Sequence, residues 1–135
     1  VTQVLADQIP IHENLLVIEH SAELVHFLKK QFPQLNILQA DATELSKTLN
    51  DYSKAVNAIV SSLPLQSLPT QIVSKFIQQL ETILQKDSLF IQFTYHYFSD
   101  YPFLSRSKHF ERIHSEMVWY NLPPARVDVF KKVDR

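Results

Sequence analysis

The hydrophobic and polar positions of this chain switch repeatedly between two periods, and the switches mark out its elements. Leu15-Leu16-Val17-Ile18 is a continuous apolar run closed by Glu19, the pattern of a short strand buried on both faces. Upstream of it, Val1 to Ala6 reads as the end of a helix. Ser21 can cap a helix from Ala22 to about Gln31, with Glu23 in its first turn and Lys29 and Lys30 in its last, as the helix dipole favours; Pro33 stops it. Asn36 to Gln39 reads as a second strand, and Asp41-Ala42-Thr43-Glu44 has the spacing of a capping box opening a helix to about Leu49. A third strand is expected over Ala55 to Val60, ending at the turn Ser61-Ser62-Leu63-Pro64. From Pro69 to Gln85, apolar residues such as Val73, Phe76, Ile77, Leu80 and Leu84 recur at helical spacing, with Pro69 in the first turn. Leu89 to Thr94 is the fourth strand.

Strands and helices in alternation, with short connections, predict an α/β fold with a mostly parallel sheet. After Thr94 the pattern changes. Tyr95 to His109 is an aromatic loop, and Glu111 to Trp119 and Arg126 to Lys132 read as an antiparallel pair at the sheet's end, joined through Asn121-Leu122-Pro123-Pro124. No repeat, linker or low-complexity tract divides the chain, so residues 1–135 are expected to form a single domain.

Composition narrows the chemistry. The 135 residues are 45% hydrophobic and 20% charged, enough apolar material for one buried core. Thirteen Lys and Arg against fourteen Asp and Glu leave a net charge of -1, which removes the main electrostatic argument for a nucleic-acid binder. With no cysteine, a disulfide framework, a thiolate nucleophile and any Cys-containing metal site are excluded. The longest uncharged run, Ala55 to Ser74, carries Asn57, serines, glutamines and prolines and cannot span a membrane. Asp7, His12 and Glu13 interrupt any signal-peptide core. A cytoplasmic protein is expected, one that could touch the inner membrane face peripherally. The absence of glycine, where average usage gives about nine, removes the residue that normally lets backbone approach a nucleotide, so a glycine-bearing part is expected outside these residues.

In open α/β sheets ligands sit beyond the carboxyl ends of the strands. The residues there are Glu19, Asp41, the Ser61 to Leu65 turn and Thr94-Tyr95. An acidic residue at one strand tip can accept hydrogen bonds from both ribose hydroxyls, and a second on the next strand can reach an adenine amino group; Glu19 and Asp41 suit that pair. The blander readings are a solvated loop residue and a helix cap. The six histidines show no metal-ligand spacing, so no metal site is expected.

Leu-Leu-Val-Ile-Glu-His-Ser (15 to 21), Leu-Gln-Ala-Asp-Ala (38 to 42), Ile-Val-Ser-Ser-Leu-Pro-Leu (59 to 65), Phe-Ile-Gln-Phe-Thr-Tyr (90 to 95) and Asn-Leu-Pro-Pro-Ala-Arg-Val (121 to 127), in this order, resemble the class I S-adenosylmethionine-dependent methyltransferases. Within that family the chain is most similar to the bacterial phospholipid N-methyltransferases, which are related to the rRNA adenine dimethyltransferases. The resemblance implies a Rossmann-like methyltransferase sheet and S-adenosylmethionine as cofactor, with Glu19 as the ribose ligand, Asp41 as the adenine contact, and His20 and Ala42 as further cofactor-binding residues. It implies Ser61, Ser62, Leu63 and Pro64 as the edge where methyl group meets acceptor, with a phosphatidylethanolamine-like amine as that acceptor. Tyr95 and His96, directly after the fourth strand, are substrate-side candidates, His96 as a group that could orient or deprotonate an ammonium.

Three departures from the family pattern matter. Members open with a strand and a Gly-rich turn, whereas Val1-Thr2-Gln3-Val4-Leu5 looks like the helix that follows that turn, so the domain is expected to be N-terminally incomplete. Members that methylate bases carry Asn or Asp, Pro-Pro and an aromatic ring after the fourth family strand; Ser61-Ser62-Leu63-Pro64-Leu65 lacks both amide and ring, which disfavours rRNA adenine methylation. Lys86-Asp87-Ser88 stands where Pro-Gly-Gly is common. The run Tyr95 to Lys108 sets five aromatic residues beside Arg106 and Lys108, a composition for lipid headgroups or for a loop covering the core. The alternatives to a phospholipid methyltransferase are an rRNA methyltransferase and a non-catalytic methyltransferase-like interaction module.

Overall fold

The computed structural model describes residues 2–10, 14–52, 55–95, 104, 107–120 and 124–133. The chain divides into two compact units, Val1–Thr48 and Leu49–Arg135. His12, His96, most of the aromatic run and Asn121 to Pro123 lie outside the described residues.

The first unit contains α1 (Thr2–Gln8), β1 (Leu16–Glu19), α2 (Ala22–Gln31), β2 (Asn36–Gln39), a 3₁₀ turn (Ala42–Glu44) and α3 (Leu45–Thr48). β1 and β2 are parallel, in register from Leu16 opposite Asn36 to Glu19 opposite Gln39. Ser21 caps α2 as its sequence predicts: its hydroxyl accepts from the Leu24 amide at 3.3 Å. Ala6, Val25, Phe32, Leu35 and Ile37 form the core, with Leu15, Val17 and Leu28 packed on it. β1 is half-buried along its whole length, not buried on both faces as its apolar run suggests. The expected helix after Asp41 is also split. A 3₁₀ turn comes first, because the Asp41 carboxylate bonds the second residue, Thr43, and the Glu44 amide donates to the Asp41 carbonyl at 3.0 Å.

The second unit contains β3 (Ala58–Ser61), α4 (Thr70–Ile83), β4 (Leu89–Thr94), β5 (Phe110–Val118) and β6 (Ala125–Lys132), with sheet order β3-β4-β6-β5. β3 and β4 are parallel; β6 is antiparallel to both β4 and β5. The antiparallel terminal pair is as expected. β3 is shorter than its apolar run suggests, because its partner β4 begins only at Leu89, opposite Ala58. Before that register, residues 55–57 lie outside the strand and are tied by the Leu89 amide to the Asn57 carbonyl at 3.0 Å. Pro69 is the cap of α4 rather than part of its first turn: with φ -54 and ψ 140 its backbone is extended, and its carbonyl accepts from the Ile72 and Val73 amides.

α4 buries Val73, Phe76, Ile77 and Leu80. Phe76 meets Phe90 edge-on at 6.0 Å, and Phe90 stacks on Phe130 at 6.1 Å. Each buried ring contributes about 1.5–3 kcal/mol of apolar burial, and each ring pair about 0.5–1.5 kcal/mol more. Asp87, at φ 69, occupies the left-handed turn into β4 that glycine would fill without strain. Its backbone amide donates to the Lys132 carbonyl at 3.0 Å, and Lys131 Nζ lies 2.9 Å from its carboxylate, which holds the Asp87 carboxyl below its ordinary value.

Candidate functional site

In the first unit, the parallel pairing of β1 with β2 sets their carboxyl ends side by side. The Ala40 amide donates to the Glu19 carbonyl at 3.1 Å, and the Gln39 amide side chain donates to the His20 carbonyl at 3.3 Å. Glu19, His20, Asp41 and Ala42 are therefore brought to one sheet end. Gln39, a tie between the two strand tips, is a residue that sequence reasoning missed. Glu19 Oε1 accepts from the Ser21 amide at 3.0 Å, which fixes the carboxylate at the mouth of α2; no other partner of that carboxylate lies among the described residues. Asp41 Oδ1 accepts from both the amide and the hydroxyl of Thr43 at 2.8 Å, so Asp41 acts as a cap. His20 is exposed and Ala42 half-buried. The carboxylate suits a vicinal diol as donor, because the second oxygen of Glu19 can accept from its hydroxyls.

In the second unit, β3 runs into the turn that begins at Ser61. The Ser61 hydroxyl accepts from the Leu63 amide at 3.2 Å, and the Leu63 carbonyl accepts from the Leu65 amide at 2.8 Å. Ser61 is buried, Leu63 half-buried, and Ser62 and Pro64 are exposed. Tyr95 follows β4 with 58% of its surface exposed. Ser61 and Gln92 are register partners, so the Ser61 turn and Tyr95 share one end of this sheet.

The same end carries residues with no obvious signal in the sequence. Along β4, Phe90, Gln92 and Thr94 are the buried alternation, and each faces a buried residue of β6: Phe130, Asp128 and Arg126 in turn. One sheet face thus changes from stacked rings to buried polar groups as it nears the carboxyl end of β4. Arg126 Nε donates to Asp128 Oδ2 at 2.7 Å, with side chains 10% and 0% exposed. Gln92 Nε2 donates to the carbonyls of Leu63 and Phe93, both at 2.8 Å. Gln92 Oε1 and Asp128 Oδ1 are buried acceptors with no hydrogen-bond donor among the described residues. Past the ends of β5 and β6, Trp119 is 69% exposed and Tyr120 fully so; since Met117 pairs with Arg126 and Arg126 with Thr94, both rings lie at the sheet end that Tyr95 occupies.

A groove of about 320 Å³ elsewhere in this unit is lined by α4 residues, including Ile77 and Glu81, and by Ser107, Lys108 and His109; it contains none of the residues expected to hold cofactor or acceptor, though Ser107 and Lys108 belong to the aromatic and basic run. Among the described residues no group of three or more His, Asp or Glu side chains could hold a metal, and no helix is long and apolar enough to cross a membrane.

No family model and no curated protein matches this chain. Solved structures do. TrmN from Thermus thermophilus is similar with a TM-score of 0.64 at 14% identity, over 87% of this chain and 36% of its own. An rRNA methylase from Streptococcus thermophilus has a TM-score of 0.64 at 11% identity, over 98% of this chain and 80% of its own. The 1,6-didemethyltoxoflavin-N1-methyltransferase of Burkholderia thailandensis, solved with bound 1,6-didemethyltoxoflavin and S-adenosylhomocysteine, has a TM-score of 0.61 at 11% identity, over 90% of this chain and 62% of its own. At these identities the likeness is one of architecture: the chain has the α/β, Rossmann-like fold of the methyltransferases.

Proposed function

We propose that this chain is the core of an S-adenosylmethionine-dependent methyltransferase acting on the amine of a phospholipid headgroup of the phosphatidylethanolamine kind, with residues 1–135 belonging to one such domain. The observation that carries the cofactor reading is the juxtaposition of Glu19 and Asp41 at neighbouring carboxyl ends of two parallel strands. It is supported by a fold whose solved relatives include one with bound S-adenosylhomocysteine. Glu19 and His20 would hold the ribose, and Asp41 and Ala42 the adenine.

Bound S-adenosylmethionine supplies an activated methyl group, so this chain's task is alignment rather than acid-base chemistry. The acceptor nitrogen has to present a neutral lone pair in line with the S-CH3 bond, and the proton it then carries leaves to a base or to solvent. We assign the alignment to the Ser61-Ser62-Leu63-Pro64 turn and Tyr95, and the proton to His96, which follows Tyr95 in the chain. The lipid acceptor is supported by the exposed rings of Tyr95, Trp119 and Tyr120 at one sheet end, amphipathic groups suited to the headgroup zone. A cytoplasmic protein with peripheral contact on the inner membrane face follows from the same reading.

A second reading, a base in ribosomal RNA as acceptor, is favoured by the likeness to the Streptococcus methylase and opposed by the net charge of -1. Transfer of labelled methyl from S-adenosylmethionine to phosphatidylethanolamine vesicles and to ribosomal RNA, assayed side by side, separates the two. Label in lipid supports the proposal; label in RNA alone replaces its acceptor; neither label nor S-adenosylhomocysteine binding leaves the interaction module.

A further inference from the structure

We infer that Gln92 is the positioning residue of the Ser61–Leu65 turn, its carboxamide fixing the Leu63 carbonyl and hence the edge to which the methyl acceptor is assigned. The inference rests on the substrate-side role proposed for that turn.

Three buried polar side chains stand in one row across three strands: Ser61 on β3, Gln92 on β4 and Asp128 on β6, register partners in sequence. Apolar side chains would fill such a row at lower cost, since every buried polar atom must recover the hydrogen bonds it gave up in water. Among the described residues the row does not recover them all, for one oxygen of Gln92 and one of Asp128 have no donor there. A polar row kept at that cost calls for a task, and its contacts indicate one.

Both amide hydrogens of Gln92 are spent on carbonyls, Leu63 in the turn and Phe93 in its own strand. This fork ties the turn to the middle of the sheet, 29 residues along the chain. It also fixes which end of the carboxamide is nitrogen, since only the nitrogen can face two carbonyls. The Leu63 carbonyl accepts from the Leu65 amide as well, and the Leu63 amide is held by Ser61. Leu63 is thus held at both its amide and its carbonyl, while the side chains of Ser62 and Pro64 on either side remain exposed. A turn with pinned backbone and open flanking residues is suited to presenting fixed carbonyls to a ligand. Asp128, held by Arg126 at 2.7 Å, is the register partner behind Gln92.

The test is amide hydrogen exchange, read residue by residue by NMR, on the unaltered chain and on Gln92→Met, which keeps the side-chain volume and removes the fork. The Leu63 and Leu65 amides are expected to exchange about tenfold faster in the variant, the scale of one lost buried hydrogen bond, with the Phe90 and Ile91 amides of β4 changed far less. Equal acceleration in turn and strand, or none in the turn, overturns the inference. Should the variant not fold, the unaltered chain still decides: the Gln92 carboxamide protons are expected to exchange at least about a hundredfold more slowly than those of exposed Gln85, and equal rates refute the fork. In the methyl-transfer assay, Gln92→Met is expected to lower kcat about tenfold with KM for S-adenosylmethionine unchanged. An unchanged kcat denies Gln92 its positioning role. If the unaltered chain transfers no methyl group, the proposed activity fails while the exchange data still judge the turn.

Discussion

Replacing Asp128 in two different ways separates the worth of its ion pair from the cost of its unpaired oxygen. Asp128→Leu removes both carboxylate oxygens from a position with no solvent exposure and takes the carboxylate partner from Arg126, whose side chain is 10% exposed. Breaking a buried pair by deleting one partner costs about 3–5 kcal/mol. The loss of Oδ1, which has no donor among the described residues, offsets about 1–3 kcal/mol of this, leaving about 2 kcal/mol of net destabilisation. Asp128→Asn keeps one oxygen for Arg126 and puts an NH2 group where Oδ1 stood. Its register partner Gln92 offers a donorless carbonyl oxygen, so one new hydrogen bond can relieve two unsatisfied positions. Against that stands the weaker neutral bond to Arg126, a loss of about 1 kcal/mol, and the two effects roughly cancel. Thermal melts and urea titrations followed by far-UV circular dichroism should place Asp128→Asn within about 1 kcal/mol of the unaltered chain and Asp128→Leu about 10 °C lower in Tm. If Asn proves as damaging as Leu, the carboxylate charge rather than the missing donor governs this row, and the reasoning fails.

Glu19→Ala should weaken S-adenosylhomocysteine binding by about 1–3 kcal/mol in calorimetry, the scale for losing charge-assisted hydrogen bonds; unchanged affinity removes Glu19 from the ribose site. Replacing Trp119 and Tyr95 by Ser should cut sedimentation with phosphatidylethanolamine-containing vesicles while leaving Tm nearly unchanged, because both rings are largely exposed; a fall in Tm with binding intact would make them structural. Asp87 titrates below its ordinary value of 3.8 through its hydrogen bond to, and charge attraction from, Lys131. A lowered folded-state value means stability that is present above 3.8 and lost as pH falls through the folded value. Asp87→Asn should therefore flatten the stability profile only in that acid range, by a small amount because the pair is solvent-screened, and a change confined to neutral pH contradicts the assignment.

What the sequence revealed depended on whether a residue's fate was set nearby. α2 was legible from Ser21 to Gln31 because its cap, its charges and Pro33 are all local, and β4 because six apolar and β-branched or polar residues end abruptly at Tyr95. The start of β3 was not legible, since it is fixed by where β4 begins. Pro69 suits either a first turn or a cap, and only the extended backbone there separates them. The site residues split the same way. Glu19 and Asp41 stand at the ends of short strands and could be placed from the strands alone. Gln92 and Asp128 could not, because Ile91 and Phe93 look like the inward residues of β4, whereas the buried side is the one that carries Phe90, Gln92 and Thr94. The available signal was the matching alternation of Phe90-x-Gln92-x-Thr94 and Arg126-x-Asp128-x-Phe130, which puts polar residues in phase with large rings on two strands at once.

The central claim is that S-adenosylmethionine binds across the tips of β1 and β2. A titration of the isotopically labelled chain with S-adenosylhomocysteine, followed by amide chemical shifts, tests it most directly. The expected result is saturable shifts at Glu19, His20, Asp41 and Ala42, with Gln39 following because it ties the two tips together. Saturable shifts confined to other residues, such as those lining the groove beside α4, or no shifts at millimolar ligand, would contradict it.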